Sequence, residues 1–234
     1  MSTGTSGTRR YPALPLICTT GALLVVYPAL PDGLVGDAAV GVLMLALIVS
    51  GVLTLRGTGN HIVIAAVLGV IGVGAHAVFA ALTHQTDAPR AELVSACASV
   101  PFFSYVAWHS LRYASKHARL TDDRLLAAAS AYLLVGLAWS GVHALFTLID
   151  QSSYASPGEG ELDWGELVYF SYITLTTLGY GDVTPRTEPA QAAATIEAIT
   201  GVFFLGFLVA RMLATPQGDE AARIVPDHPS EVTP

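Results

Sequence analysis

The residues with the clearest capacity for chemistry form a short run, Thr176 to Asp182, in which glycine alternates with larger side chains. We call this run the glycine loop (residues 176–182). Consecutive backbone carbonyls can point to one side when alternate residues adopt angles that glycine reaches without steric cost. Gly179 and Gly181 are two positions apart, as such a ribbon requires. The ribbon can replace the water shell of a cation, and the Thr177 hydroxyl can add an oxygen at its inner end. By itself, Gly-Tyr-Gly-Asp is also typical of a surface turn, so the neighbouring elements must decide.

The glycine loop lies between two apolar segments that are long enough to cross a bilayer, and a short helical run leads into it. That run begins after Asp163, with Glu166 three residues further on, which is the pattern of a capping box. The predicted helix, residues 164–176, is shorter than the roughly 20 apolar residues that a membrane span needs. It fits a re-entrant helix buried within protein. The partial negative charge at its C-terminal end favours a cation there.

This order of elements, with Thr-Leu-Gly-Tyr-Gly-Asp at 177–182, resembles the pore module of the tetrameric potassium-channel superfamily. The family's filter reads Thr-Val-Gly-Tyr-Gly-Asp, and this sequence differs from it only by Leu178 in place of valine. The resemblance implies that K+ is coordinated mainly by backbone carbonyls of Thr177, Leu178, Gly179 and Tyr180, with Gly181 in the same ribbon. It also implies passive conduction by a homotetramer, with no cofactor apart from the permeant K+ ion.

Three further residues are predicted to support the filter at its two ends. Thr176 precedes the ribbon and Asp182 ends it. Tyr169 lies thirteen residues before Asp182, a separation at which related channels pair an aromatic donor with the filter aspartate. We therefore predict a hydrogen bond between Tyr169 and Asp182. The alternative is that Tyr169 belongs only to an interfacial aromatic belt.

Two residues of the last apolar segment are also candidates. Glu197 lies well inside it, where an ionisable side chain is costly and suggests function. We predict that Glu197 supports the filter by a hydrogen bond to the short helix around Tyr172 to Thr176; a proton-sensitive gate and a cavity-lining residue are the alternatives. Gly201 lies twenty residues after Gly181 and matches the hinge glycine of the family's inner helix. Close helix packing is the other interpretation of a membrane glycine.

The composition of the chain predicts a membrane protein. Of its 234 residues, 53% are hydrophobic and 12% are charged, and the mean hydropathy is +0.56; soluble domains carry about 25% charged residues. The two cysteines lie inside apolar runs, which argues against a disulfide framework. We predict an all-α membrane protein with six transmembrane helices and a re-entrant pore helix between the fifth and sixth. The predicted spans are Leu14–Leu30, Val35–Leu55, Ile62–Leu82, Leu93–Leu111, Leu125–Ile149 and Ala190–Leu213.

These spans divide the chain into five parts. Residues 1–12 are predicted to be a cytoplasmic tail, 13–117 a four-helix membrane domain and 118–124 a cytoplasmic linker. Residues 125–214 form the predicted pore domain, with the pore helix at 164–176 and the filter at 177–182. Residues 215–234 are polar and rich in proline, and are predicted to be a disordered cytoplasmic tail.

The distribution of basic residues predicts the orientation in the plasma membrane. If both termini are cytoplasmic, nine of the eleven Lys and Arg residues lie on the inner side. They are Arg9, Arg10, Arg56, Arg112, Lys116, Arg119, Arg124, Arg211 and Arg223, against Arg90 and Arg186 outside. The glycine loop then faces the extracellular side. The predicted partners are K+, membrane lipid and further copies of the chain, with no nucleic acid.

Other functions would require specific residues, which the sequence can be searched for. A voltage sensor needs arginines in the fourth span, and Leu93–Leu111 contains no Lys or Arg, which predicts weak voltage dependence. A non-selective monovalent cation channel typically replaces the filter tyrosine, and Tyr180 argues against it. Ser140 and His143 superficially suggest an intramembrane serine protease. Ala138 stands where its Gly-x-Ser-Gly motif needs the first glycine, so we predict that the chain is not an enzyme.

Overall fold

The computed structural model describes residues 11–30, 34–54, 63–71, 74, 88–115, 121–156 and 162–213. These residues are mostly helical. Residues 63–71 form helix α3, and the other helices are α1 (Leu14–Val26), α2 (Leu34–Thr54), α4 (Ala88–Ser115), α5 (Asp122–Ile149), α6 (Trp164–Leu175) and α7 (Glu188–Leu213). The greater part of both tails and of the predicted third span lies outside the described residues.

Two of the helices are long and apolar enough to cross a bilayer. They are α5, and the Glu188–Arg211 part of α7. The predicted fifth and sixth spans match them closely, and the predicted fourth span lies inside α4. The first predicted span is shorter as a helix: α1 ends at Val26, and a 3-10 turn covers Tyr27–Ala29. Pro28 lies in that turn and lacks the backbone N–H that a continuing α-helix needs.

The first helices pack together through apolar side chains. The largest core cluster joins α1, α2, α4 and α5 and reaches α6 at Val168. Its members include Leu16, Leu23, Leu47, Ile48, Phe102, Phe103, Val106, Leu134 and Leu137. A second cluster surrounds the segments that flank the glycine loop, and contains Tyr154, Phe170, Ile173, Val183 and Ala190.

Helix α6 is short and lies between α5 and α7. Its 12 residues give a length of about 18 Å, well below the thickness of a bilayer. Two glycines allow the close approach. A Cβ atom on Gly136 of α5 would lie 2.7 Å from the Tyr172 ring, and one on Gly201 of α7 would overlap the backbone carbonyl of Leu175. Larger residues at these positions would push α6 away from its neighbours.

A pair of two-residue strands supplements the helices. β1 (Tyr154–Ala155) follows α5, and β2 (Thr184–Pro185) follows the glycine loop. They are antiparallel, with Tyr154 opposite Pro185 and Ala155 opposite Thr184. The Arg186 N–H donates to the Ser153 carbonyl at 2.7 Å and extends the pairing by one bond. The segment that leaves the loop is thus fixed to the segment that leaves α5.

Candidate functional site

The start of α6 is fixed by the predicted capping box. The Glu166 N–H donates to Asp163 Oδ1 at 2.7 Å, and the Asp163 N–H donates to Glu166 Oε2 at 3.0 Å. Two amide groups at the helix start are therefore satisfied locally. The Ser156 hydroxyl also donates to Glu166 Oε1 at 3.1 Å. This confirms the prediction of a helix that begins after Asp163.

The C-terminal end of α6 holds the beginning of the glycine loop. The Ile173 carbonyl accepts two hydrogen bonds, from the Leu178 N–H at 2.8 Å and from the Gly179 N–H at 3.0 Å. The Thr177 N–H donates to the Thr174 carbonyl at 2.9 Å. The Thr176 hydroxyl donates to the Tyr172 carbonyl at 2.6 Å. The turn from helix to loop is therefore set by bonds to carbonyls that the helix end leaves without intrahelical partners.

Alternate residues of the loop have left-handed backbone angles. The φ angles are +59° at Thr177, +50° at Gly179 and +80° at Gly181. The two glycines adopt these angles at no steric cost, whereas a β-branched residue such as threonine is strained there. The pattern predicted for positions 179 and 181 thus extends one step further, to position 177. Sequence reasoning missed this step because threonine gives no signal for a positive φ.

The far end of the loop is held by a side-chain bond. The Tyr169 hydroxyl donates to Asp182 Oδ2 at 2.7 Å, which confirms the predicted pair. This hydrogen bond lowers the pKa of Asp182 below its ordinary value, because it favours the ionised carboxylate. The second oxygen, Oδ1, accepts from the Val183 N–H at 2.9 Å, and Val183 itself is buried. Asp182 therefore joins the loop to α6 and also bonds to the buried residue that precedes β2.

A buried polar network lies behind the loop and joins α5, α6, α7 and β1. It consists of Ser171, Glu197, His143 and Tyr154, together with the Gly136 carbonyl; the four side chains are at most 5% exposed. Ser171 Oγ lies 2.6 Å from Glu197 Oε1 and 2.7 Å from the Gly136 carbonyl oxygen. His143 Nε2 lies 2.7 Å from Glu197 Oε2, and its Nδ1 lies 2.6 Å from the Tyr154 hydroxyl. Glu197 contacts the short helix as predicted, but through Ser171, one residue before the predicted range.

Sequence reasoning also missed His143 and Tyr154 as partners of Glu197. The distances of these residues from the ends of their helices could have indicated the network. His143 lies six residues before the end of α5, Ser171 seven after the start of α6, and Glu197 nine after the start of α7. At 1.5 Å per residue these depths agree to within about 5 Å. Three buried polar residues at one level of neighbouring helices are candidates for a common hydrogen-bond network.

The side chains of the loop face away from the chain's own core. Leu178 is 54% exposed and Tyr180 is 68% exposed. Among the described residues, no group of three or more His, Cys, Asp or Glu side chains could hold a metal ion. The loop instead offers backbone carbonyls, which suit a weakly held monovalent cation.

The serine and histidine that suggested a protease do not pair. The Ser140 hydroxyl donates to the Leu137 carbonyl at 2.8 Å. Both ring nitrogens of His143 are engaged by Tyr154 and Glu197. The histidine is therefore not placed to act as a base for Ser140.

Comparison with known proteins identifies a protein family that matches part of the chain. The family described as "Ion channel" matches residues 133–217, which include α6, the glycine loop and α7. Two-pore potassium channel 4 of Arabidopsis thaliana is 39% identical over 46 residues, which are 20% of this chain and 16% of that protein. Over this region the chain is therefore similar to ion channels, and the relatives that it matches are potassium channels. This family is one of ion channels and not of enzymes, and the chain is accordingly a membrane protein.

Two further potassium-channel proteins match the chain over similarly short segments. Potassium channel subfamily K member 10 of Homo sapiens is 33% identical over 73 residues, or 30% of this chain and 14% of that protein. The human voltage-gated potassium channel regulatory subunit KCNG1 is 36% identical over 47 residues, or 20% of this chain and 9% of that protein. The matches thus cover 16% or less of the length of these relatives. No solved structure matches the chain.

Proposed function

We propose that the chain conducts K+ passively and selectively across the plasma membrane as a homotetramer, with the glycine loop as its selectivity filter. The observation that supports this most is the alternation of positive φ angles at residues 177, 179 and 181, directly after a helix too short to span. Such alternation turns successive carbonyls toward one side, where they can replace the water shell of an ion.

The proposed ligands are the backbone carbonyls of this ribbon. They belong to Thr177, Leu178, Gly179 and Tyr180, with Gly181 completing the alternation. One chain contributes one such ribbon, whereas a dehydrated ion needs oxygens on all sides. Four copies around an axis would supply them. The exposure of the loop in a single copy, described above, agrees with an assembly in which other copies complete the site.

Other parts of the chain have proposed supporting roles. Thr176, Tyr169 and Asp182 fix the two ends of the filter, and Glu197 supports it from behind. Gly201 is the proposed gating hinge of α7, a role that comes in addition to its close contact with α6. We further propose the six-span layout with cytoplasmic termini, in which residues 13–117 form a four-helix domain attached to the pore domain at 125–214.

A flux measurement on purified protein in liposomes tests this proposal. The reversal potential should follow the K+ gradient and ignore the Na+ gradient. Gly179→Ala should abolish the current while the protein still inserts, because alanine at a φ of +50° costs about 1–2 kcal/mol in each copy. The matched control is Gly41→Ala, where an added Cβ meets nothing within 4 Å. Comparable Na+ permeability would identify a non-selective cation channel instead.

A further inference from the structure

The hydrogen bonds of the buried polar network determine how many protons it holds. Its members form a row of four contacts, from the Tyr154 hydroxyl through His143, Glu197 and Ser171 to the Gly136 carbonyl, each between 2.6 and 2.7 Å. Each contact requires one proton between its two atoms. The carbonyl of Gly136 can only accept, so the proton of the last contact must come from the Ser171 hydroxyl. A hydroxyl has one proton, which fixes the direction of the bond between Ser171 and Glu197.

An ion pair between a protonated His143 and an ionised Glu197 leaves one hydroxyl proton without an acceptor and one contact without a proton. Both ring nitrogens would donate, and the Tyr154 hydroxyl would then have to accept from Nδ1. In the part of the chain that the structure describes, that hydroxyl has no other acceptor for its own proton. Ser171 would also have one proton for two acceptors, Glu197 and the Gly136 carbonyl. Two buried charges would add a desolvation cost.

A neutral His143 beside an ionised Glu197 removes only the first of these defects. Tyr154 then donates to Nδ1, and Nε2–H donates to Glu197 Oε2. Ser171 still has a single proton for the two oxygens that lie 2.6 and 2.7 Å away. One of these contacts must go without a proton, or both must share it. An unpaired carboxylate charge also remains in a site that is 0% exposed at Glu197, His143 and Ser171.

A neutral Glu197 satisfies every contact. We infer that Glu197 is a neutral carboxylic acid, which donates from Oε1 to Ser171 and accepts from His143 at Oε2, and that this closed row of hydrogen bonds positions the glycine loop. All four bonds then run in one direction, from Tyr154 to the Gly136 carbonyl, with one proton each. The second part of this inference rests on the proposed function of the loop, whereas the protonation of Glu197 does not.

The network reaches the glycine loop from both of its ends. Ser171 lies two residues before Ile173, whose carbonyl holds the N–H groups of Leu178 and Gly179. At the other end, Tyr154 belongs to β1, which pairs with the strand that begins two residues after Asp182. The other titratable groups near Glu197 are His143 and Tyr132 from α5, Tyr172 from α6 and Tyr154 from β1. In the closed row all five of these groups are neutral, and the Glu197→Gln variant separates the ionisation of Glu197 from that of the histidine and the tyrosines.

Infrared spectroscopy of the purified protein tests the protonation directly. The carbonyl stretch of a protonated carboxylic acid should be present at neutral pH, lost in Glu197→Gln and retained in Glu188→Gln. The second variant is the matched control, because it makes the same change at an exposed residue of the same helix. Absence of the band in the wild type would overturn the inference. A chain that shows the band but does not select K+ would refute the proposed function alone.

Thermal unfolding and flux test the positioning role. Glutamine can donate from its amide nitrogen to Ser171 and accept from His143 at its oxygen, so Glu197→Gln should unfold at the temperature of the wild type. Glu197→Ala leaves both partners unsatisfied, so it should unfold at a lower temperature than the wild type and lower the flux about tenfold. Wild-type flux should fall across an alkaline series, since loss of the proton breaks the row, and Glu197→Gln should show no such fall. If Glu197→Gln unfolds as early as Glu197→Ala, or both forms respond equally to alkali, the inference is wrong. If Glu197→Ala does not fold, the unfolding temperature and alkaline response of Glu197→Gln, compared with those of the wild type, still test the inference.

Discussion

The N-terminal helices and the loop-bearing helices are held together by different proportions of apolar and polar contacts. Polar pairs such as Thr19–Ser50 and Tyr113–Asp123 do join the N-terminal helices, but they lie outside an otherwise apolar core. Where α1, α2 and α4 meet α5, the core is built from leucine, isoleucine, valine and phenylalanine. Around α6, in contrast, side-chain hydrogen bonds cross between elements at several places. Ser171 and Tyr172 bond to carbonyls of α5, Glu197 bonds to Ser171 and His143, and Tyr169 bonds to Asp182.

The two kinds of contact affect different properties, namely the stability of the fold and the position of the glycine loop. Apolar contacts stabilise the fold in proportion to the area they bury, and they tolerate small shifts and changes of shape. A buried hydrogen bond, in contrast, fixes two atoms to within a few tenths of an ångström and is costly to leave unmade. Mutations in the N-terminal core should therefore change mainly how stable the protein is, and mutations that remove hydrogen bonds around α6 should change mainly where the glycine loop lies.

A large loss of stability is expected at the contact between α6 and α7. A Cβ atom on Gly201 would overlap the Leu175 carbonyl, and backbone cannot move aside as a flexible side chain can. Gly201→Ala should destabilise the assembled protein by about 1–3 kcal/mol or more. Gly206→Ala on the same helix is the control, because nothing lies within 4 Å of its added Cβ. Thermal unfolding in detergent measures both; equal midpoints would show that Gly201 is not required for close packing.

A comparable loss of stability without loss of selectivity is expected in the N-terminal core. Leu47 of α2 is 0% exposed, and Leu47→Ala should cost about 2–5 kcal/mol of unfolding free energy. Leu45 on the same helix is 52% exposed, and Leu45→Ala should change stability by about 0.5 kcal/mol or less. The K+ over Na+ permeability ratio should be the same for both variants and the wild type. A lower ratio in Leu47→Ala would contradict the separation of the two regions.

A smaller, pH-dependent effect is expected at Asp182. The Tyr169 hydrogen bond lowers the pKa of this carboxyl, so its contribution is present above the ordinary pKa of aspartate and is lost as pH falls through the lowered value. Tyr169→Phe should raise the pKa of Asp182 toward the ordinary 3.8, so that acid acts at a higher pH. Carboxyl chemical shifts by NMR measure this. Asp150 is the internal control, because its pKa is lowered by Ser152, which the variant leaves intact; an unchanged Asp182 titration would refute the assigned cause.

The smallest effect is expected from the membrane voltage. The predicted fourth span contains no Lys or Arg, and in α4 Arg112 lies in the last turn. Each charge that moves across the field contributes about 2.3 kcal/mol per 100 mV, so a helix with few such charges responds weakly. The conductance–voltage curve in symmetric K+ should be shallow. A steep curve in the absence of blockers would assign a sensing role to the N-terminal helices.

Local signals in the sequence predicted much of the loop-bearing region. The capping box at Asp163 and the apolar run after it located α6 within one residue of its observed end at Leu175. The spacing of Tyr169 and Asp182 predicted their hydrogen bond. These features depend on residues close together in the chain or on a spacing that the family resemblance supplies. For the same reason the bounds of α5 and α7 were predicted within three residues.

Contacts that depend on the packing of separate helices could not be predicted in the same way. The depths of Glu197 and His143 along their helices suggested a common level, but the sequence did not show that His143, 54 positions away, would face Glu197. Likewise, a threonine gives no sign that its φ will be positive; the hydrogen bonds from Thr177, Leu178 and Gly179 to the helix end hold it there. The pairing of β1 with β2 also requires the segment after α5 to meet the segment after the glycine loop. Each strand has two residues, which is too short to show the alternation of polar and apolar residues that predicts a strand.

The contact of Tyr27 with the start of α6 has a consequence for protein engineering. The Tyr27 ring packs edge-on against Trp164 with a centroid distance of 4.9 Å, and a Cβ atom on Gly165 would lie 2.6 Å from it. The Tyr27 ring therefore occupies the space that a side chain at position 165 would need, and the two residues come from different halves of the chain. A chimera that joins a foreign N-terminal domain to α6 must supply an aromatic ring at the position of Tyr27. Without that ring, the graft leaves a cleft beside Gly165, at the start of the helix that precedes the glycine loop.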